Sequence, residues 1–244
     1  MELLITLGLG IFIVVGALIT FLSKNNKNFV YFSISLAFAV MVMLMFVDLI
    51  PEVKEIFITE FSFGLGIFLA VLGVVTGIIL LKGLDLFIPD HDGKEKEELS
   101  HIGLISSIAL ILHNIIEGMA IYTTVSSSLE TGLLISIGVG LHNIPLGMVI
   151  ASTLYKANNN AKKTWAIILL VSLSTFVGGL IMTVLSGILV NEIILGVLLS
   201  ITLGMLIYIS VFELLPKILE MKNKKVAISG IILGVILILI TVFI

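Results

Sequence analysis

Two short runs hold the residues best suited to chemistry: His113-Asn114-Ile115-Ile116-Glu117-Gly118 and His142-Asn143-Ile144-Pro145-Leu146-Gly147. Each lies near the middle of an apolar stretch long enough to cross a bilayer. An imidazole or carboxylate moved into hydrocarbon without a partner pays a heavy desolvation penalty, so such groups are expected to share one. A divalent cation is the natural candidate. His113 and Glu117 stand i, i+4 and project from one helix face, one turn apart. Imidazole nitrogen with carboxylate oxygen suits zinc and other first-row divalent ions, whereas sodium or calcium favours oxygen alone. Two adjacent helices would present His113, Glu117 and His142 to a single ion. Pro145 is expected to free the carbonyl of Leu141 and kink its helix where an ion needs oxygen. Gly118 and Gly147, with Gly138 and Gly140 nearby, are expected to let the two helices approach closely.

The elements that position these groups must be membrane helices. The 244-residue chain is 59% hydrophobic and 12% charged, with a mean hydropathy of +1.28, a composition that no water-exposed surface could sustain. Eight stretches are long and apolar enough to span a bilayer, near 3–22, 29–51, 61–88, 100–125, 131–155, 164–190, 192–216 and 225–244. The fold class is therefore all-α: one polytopic transmembrane domain over 1–244. There is no cysteine, which excludes disulfides, thiolate metal sites and thiol redox chemistry. Every basic residue is lysine, and of the 13 only Lys54 falls on one face of this topology. The positive-inside rule makes the lysine-rich face cytoplasmic and places both termini outside, in a cell membrane. Met1-Glu2 lacks a basic n-region, so the first helix is expected to be retained.

Asp48-Leu49-Ile50-Pro51 is expected to end the second helix and Glu213-Leu214-Leu215-Pro216 the seventh, one near the outer face and one near the inner. A signature repeated at opposite faces is the pattern of inverted repeats, here in a 3+2+3 arrangement with the histidine helices in the middle. Asp48 and Glu213 would then be acidic stations on the outer and inner sides of a metal path. The stretch 88–100 carries Asp90, His91 and Asp92, which read as a solvated linker or as a weak cytoplasmic metal site. Met41, Met43 and Met45 read as gap-filling core residues, and Trp165 as an interfacial anchor.

The two runs and the tail Tyr208 to Pro216, YISVFELLP, resemble the ZIP (Zrt/Irt-like) family of divalent-metal importers, across essentially the whole chain. The resemblance implies that His113, Glu117 and His142 form a primary metal position and that Asn114, Glu117 and Asn143 surround a neighbouring second one. It also implies an elevator-like movement of a bundle holding the two histidine helices. Bacterial members commonly carry Glu where this chain has Leu146, and an acid in helix six at the place of Thr175. With those two carboxylates missing, too little negative charge is left to hold two dications a few ångströms apart, and a single ion is expected. Its identity would be zinc, or ferrous iron, manganese or cobalt. The ion is cargo, and no organic cofactor is expected. The partners are the ion and the lipid bilayer, without nucleic acid; a homodimer is compatible with the sequence. No Walker loop is present to couple ATP directly, and no HExxH run to support an intramembrane metallohydrolase. The chain is read as no enzyme. A non-transporting metal sensor is the alternative that Leu146 and Thr175 make plausible, and a carrier whose histidines bind an organic substrate is a more distant one.

Overall fold

Hydrocarbon offers no water to backbone amides, so each apolar segment closes its hydrogen bonds within itself as a helix. The computed structural model describes residues 1–23, 26–88, 95–185 and 192–242. Over these residues it contains eight helices of membrane-spanning length: α1 Glu2–Leu22, α2 Lys27–Glu60, α3 Phe63–Asp85, α4 Glu95–Ser127, α5 Leu129–Asn158, α6 Ala161–Leu185, α7 Glu192–Glu220 and α8 Lys224–Val242. Asp90, His91 and Asp92 lie outside the described residues.

The expected helix ends at Pro51 and Pro216 are corrected: α2 runs on to Glu60 and α7 to Glu220. A proline inside a helix lacks a donor and crowds the carbonyl four residues back, which for Pro51 is that of Val47 and for Pro216 that of Phe212. In both helices the turn before the proline widens into a π-helical segment, Met45–Leu49 and Ile209–Leu214, which gives the ring room without ending the helix. The repeated acid-Leu-aliphatic-Pro signature therefore marks the same local structure twice. α4 likewise begins earlier than expected, so Glu95 and Glu98 are helical rather than part of a linker.

Packing divides the helices into two bundles. In one, α1 lies against α5 and α6, and α4 against the same two. In the other, α8 lies along α2 and α3 along α7, with the C-terminal part of α2 packed on α7. The bundles meet chiefly where α2 and α8 touch α5 and where α7 touches α4. Exchanging α1 with α6, α2 with α7, α3 with α8 and α4 with α5 turns α1–α5 into α4–α6, α2–α8 into α3–α7 and α2–α5 into α4–α7, and leaves α1–α6, α4–α5 and α2–α7 in place. Backbone detail obeys the same exchange: a Cβ at Gly16 would meet Ile144 and Met148, and one at Gly178 would meet Ile115 and Met119. The 3+2+3 repeat is thus visible at single residues. Because successive helices run in opposite directions, the two halves are inverted.

The glycines do not join α4 to α5 as expected. Gly118 abuts the backbone of Thr175 on α6, and Gly147 that of Ile13 on α1. Gly118 lies five residues beyond His113, about 140° around the helix, so it faces away from the histidine side.

Candidate metal centre

α4 and α5 are separated by Ser128 alone, whose side chain accepts from the Thr131 amide at 3.3 Å and caps α5. A turn this tight makes the helices an antiparallel hairpin, and residues equally far from it sit at equal depth. His113 and His142 are each about 14 residues from the turn, or ~20 Å along the axis. The hairpin therefore delivers both imidazoles to one level inside the membrane.

There they converge on Glu117. His142 Nε2 donates to Glu117 Oε1 at 3.0 Å, and His113 Nε2 lies 3.5 Å from the same oxygen. One ligand atom from each of the three groups falls within 4.8 Å of the others. Both histidines are 4% exposed, so the cluster is shut off from bulk water except through the cavities described below. Asn143 Nδ2 reaches Glu117 Oε2 at 3.5 Å. Asn114 turns the other way and donates to the Val171 carbonyl of α6 at 3.2 Å.

Buried polar atoms are almost always hydrogen-bonded. Here His113 Nε2, Asn114 Oδ1 and Asn143 Oδ1 are buried without a hydrogen-bond partner. An imidazole nitrogen and an amide oxygen left open beside a carboxylate have the donor chemistry that a borderline divalent cation requires. α5 passes through this region without interruption, Pro145 included.

Two cavities on the Lys54 side reach the cluster. One, of about 380 Å³, is lined by His113, Glu117 and, along one face of α2, Asp48, Glu52 and Glu55. The other, of about 500 Å³, is lined by Asp48, His142, Thr131 and Thr241. Asp48 borders both. Glu52 and Glu55 were not singled out by the sequence reading, although they follow Asp48 at helical spacing.

A third cavity, of about 620 Å³, opens on the opposite, lysine-rich side and includes none of the three central residues. Glu213 lines it. His101 Nε2 lies 2.7 Å from Asp85 Oδ1 and 3.7 Å from Glu213 Oε2, and Tyr208 donates to Asp85 Oδ2 at 2.8 Å. The residue types of Asp85 and His101 suit such a cluster, but they stand on different helices in different bundles, and only packing brings them together. Thr175 is fully buried where α6 meets Gly118, and it lines none of these cavities.

The sequence profile of the ZIP zinc transporter family matches residues 88–241. Among curated proteins, the zinc transporter ZupT of Streptococcus mutans is 32% identical over 235 residues, covering 91% of this chain and 89% of that protein. ZupT of Oceanobacillus iheyensis is 32% identical, covering 96% and 94%. ZupT of Clostridium perfringens is 28% identical, covering 97% and 93%.

Proposed function

The chain belongs to the ZIP zinc transporter family, and from that premise we propose that it carries a divalent transition-metal cation, zinc first, across a cell membrane into the cytoplasm. The observation that carries the reading is the convergence of His113, Glu117 and His142 midway along two adjacent helices, beside two cavities that Asp48 also lines.

His113, Glu117 and His142 are the ligands, and Asn143 holds the carboxylate in place and offers its free oxygen to the shell. Asn114 ties α4 to α6. Asp48 receives the ion from outside. Ligation needs neutral imidazoles and an ionised carboxylate, so the occupied site carries a formal charge of +1. One ion is bound, not two. The pseudo-two-fold exchange that pairs Gly118 with Gly147 pairs Glu117 with Leu146, so the second carboxylate of a symmetric site is replaced by a buried aliphatic side chain. This weaker neutralisation opens the site to ferrous iron, manganese and cobalt as well as zinc.

Transport follows from the division into bundles. The ligands all belong to the α1-α4-α5-α6 bundle, which can slide as one body against α2, α3, α7 and α8, exchanging the outer cavities for the inner one. Both termini lie outside, as the lysine distribution requires. In proteoliposomes loaded with a metal-sensitive dye, the native chain takes up zinc, and His113→Ala or His142→Ala abolishes uptake. Uptake retained in either variant refutes the assignment, and binding without flux in the native chain identifies a sensor instead.

A further inference from the structure

The register that pairs Asp48 with Glu213 and Pro51 with Pro216 also pairs Glu52 with Lys217 and Glu55 with Glu220. The outer member of this pseudo-symmetric ladder is acid, acid, acid along one face of α2. The inner member is acid, lysine, acid along α7, facing the 620 Å³ cavity. The two ladders differ in the sign of one charge, and the inner cavity is lined in addition by Asp85, Glu97, Glu98 and His101.

Lys217 is not a solvated surface lysine. It is 9% exposed, reaches Glu98 of α4, and lies 3.3 Å from Glu220. A lysine this buried is rare unless paired. Around it the cavity is otherwise a cation trap: Asp85, His101 and Glu213 have ligand atoms within 4.8 Å of one another, and Glu98 and Glu220 line the same space. The ammonium pairs with Glu98 and Glu220, two of the carboxylates that line the cavity, and its charge repels any dication that enters.

We propose that Lys217 is a tethered counter-cation that keeps the affinity of the inner mouth for the divalent ion low, so that the ion leaves on that side instead of lodging among Asp85, His101 and Glu213. The role rests on the transport reading above. It accounts for the asymmetry: Glu52 draws a cation toward the outer cavity, and at the mated inner position Lys217 has taken the place of the ion.

The test separates the inner mouth from the central site by working in a His113→Ala/His142→Ala background and titrating the purified protein with Zn²⁺. Adding Lys217→Gln is expected to create a site for one Zn²⁺ at least about tenfold tighter than any in the parent, and Asp85→Asn placed on top removes it. Lys217→Arg, which keeps the charge, gains nothing. Lys217→Met serves where the glutamine variant does not fold. With the central site intact, Lys217→Gln slows release and lowers maximal uptake in proteoliposomes. Folded Lys217→Gln or Lys217→Met protein that binds Zn²⁺ no tighter than its parent overturns the proposal, as does an equal gain in Lys217→Arg. Failure of the transport reading shows elsewhere, as native protein that takes up no zinc or loses no binding with both histidines removed.

Discussion

Gly147 closes the second histidine motif, and the structure gives it a packing duty whose loss can be sized. An ideal Cβ at this position would lie 2.9 Å from the Ile13 carbonyl carbon and 3.0 Å from Ile13 Cα, and nearer still to the carbonyl oxygen, where ordinary contact begins at 3.4 Å. All three are backbone atoms, so no rotamer change relieves the clash. In Gly147→Ala, α1 must withdraw by roughly 1 Å, enough to forfeit a quarter to a half of the dispersion energy along that seam. Ile13 and Ala17 are fully buried in it, and the reciprocal contact of Gly16 with Ile144 opens as well. Overpacking of this kind costs about 1–3 kcal/mol. Gly8, on the same helix, has nothing within 4 Å of its would-be Cβ. Gly8→Ala should therefore be neutral or stabilising by up to ~1 kcal/mol, because alanine suits a helix interior better than glycine. The chain has one tryptophan, Trp165, stacked on Phe21 of α1 with ring centroids 5.2 Å apart. Its fluorescence during unfolding in mixed micelles of mild detergent and dodecyl sulfate thus reports on α1 itself. Gly147→Ala should unfold at a clearly lower dodecyl sulfate fraction than native and Gly8→Ala at the same or a higher one. If Gly147→Ala matches native, or Gly8→Ala falls as far, the close approach of α1 to α5 is not what holds this bundle.

Leu146→Glu restores a carboxylate at the pseudo-two-fold mate of Glu117, and metal content measured per folded protein should rise from one ion to two; two ions in the native chain would refute the single-site reading. Glu52→Gln and Glu55→Gln remove charge from the outer cavity without touching the central ligands. Zinc uptake by these variants should show a several-fold higher apparent KM at unchanged maximal rate, with the difference shrinking as ionic strength rises. Lower maximal rate at unchanged KM would place these acids in the moving parts instead.

The membrane class and the count of helices were legible because hydrophobic length is a near-sufficient signal in a bilayer. The central cluster was legible because i, i+4 spacing on one helix and a matching pair on the next leave few ways for the groups to be buried apart. The helix ends at Pro51 and Pro216 were not. In water a proline commonly ends a helix, since the freed carbonyls can bind solvent. In hydrocarbon they have no such partner, and a widened π-turn that lets the helix continue is the better solution. The facing of Gly118 was present in the sequence as an angle around the helix, and motif spacing alone obscured it. Asp85 and His101 carried no local signal, since their meeting depends on how α3, α4 and α7 pack across the two bundles.

The pseudo-two-fold relation also explains which residues must break it. A carrier built from inverted halves has an inward-facing packing that is nearly the mirror in sequence of its outward-facing one, so the backbone favours neither side strongly. Side chains that differ between mated positions then decide what the cycle does. His113 and His142 are mated and alike, which places one imidazole on each of α4 and α5 at the same depth. Glu117 and Leu146 are mated and unlike, which leaves one carboxylate where a symmetric site would have two. Asp48 and Glu213 are mated and alike, which gives each side an acid near its mouth. Glu52 and Lys217 are mated and opposite in charge, so the two mouths cannot have equal affinity for a dication.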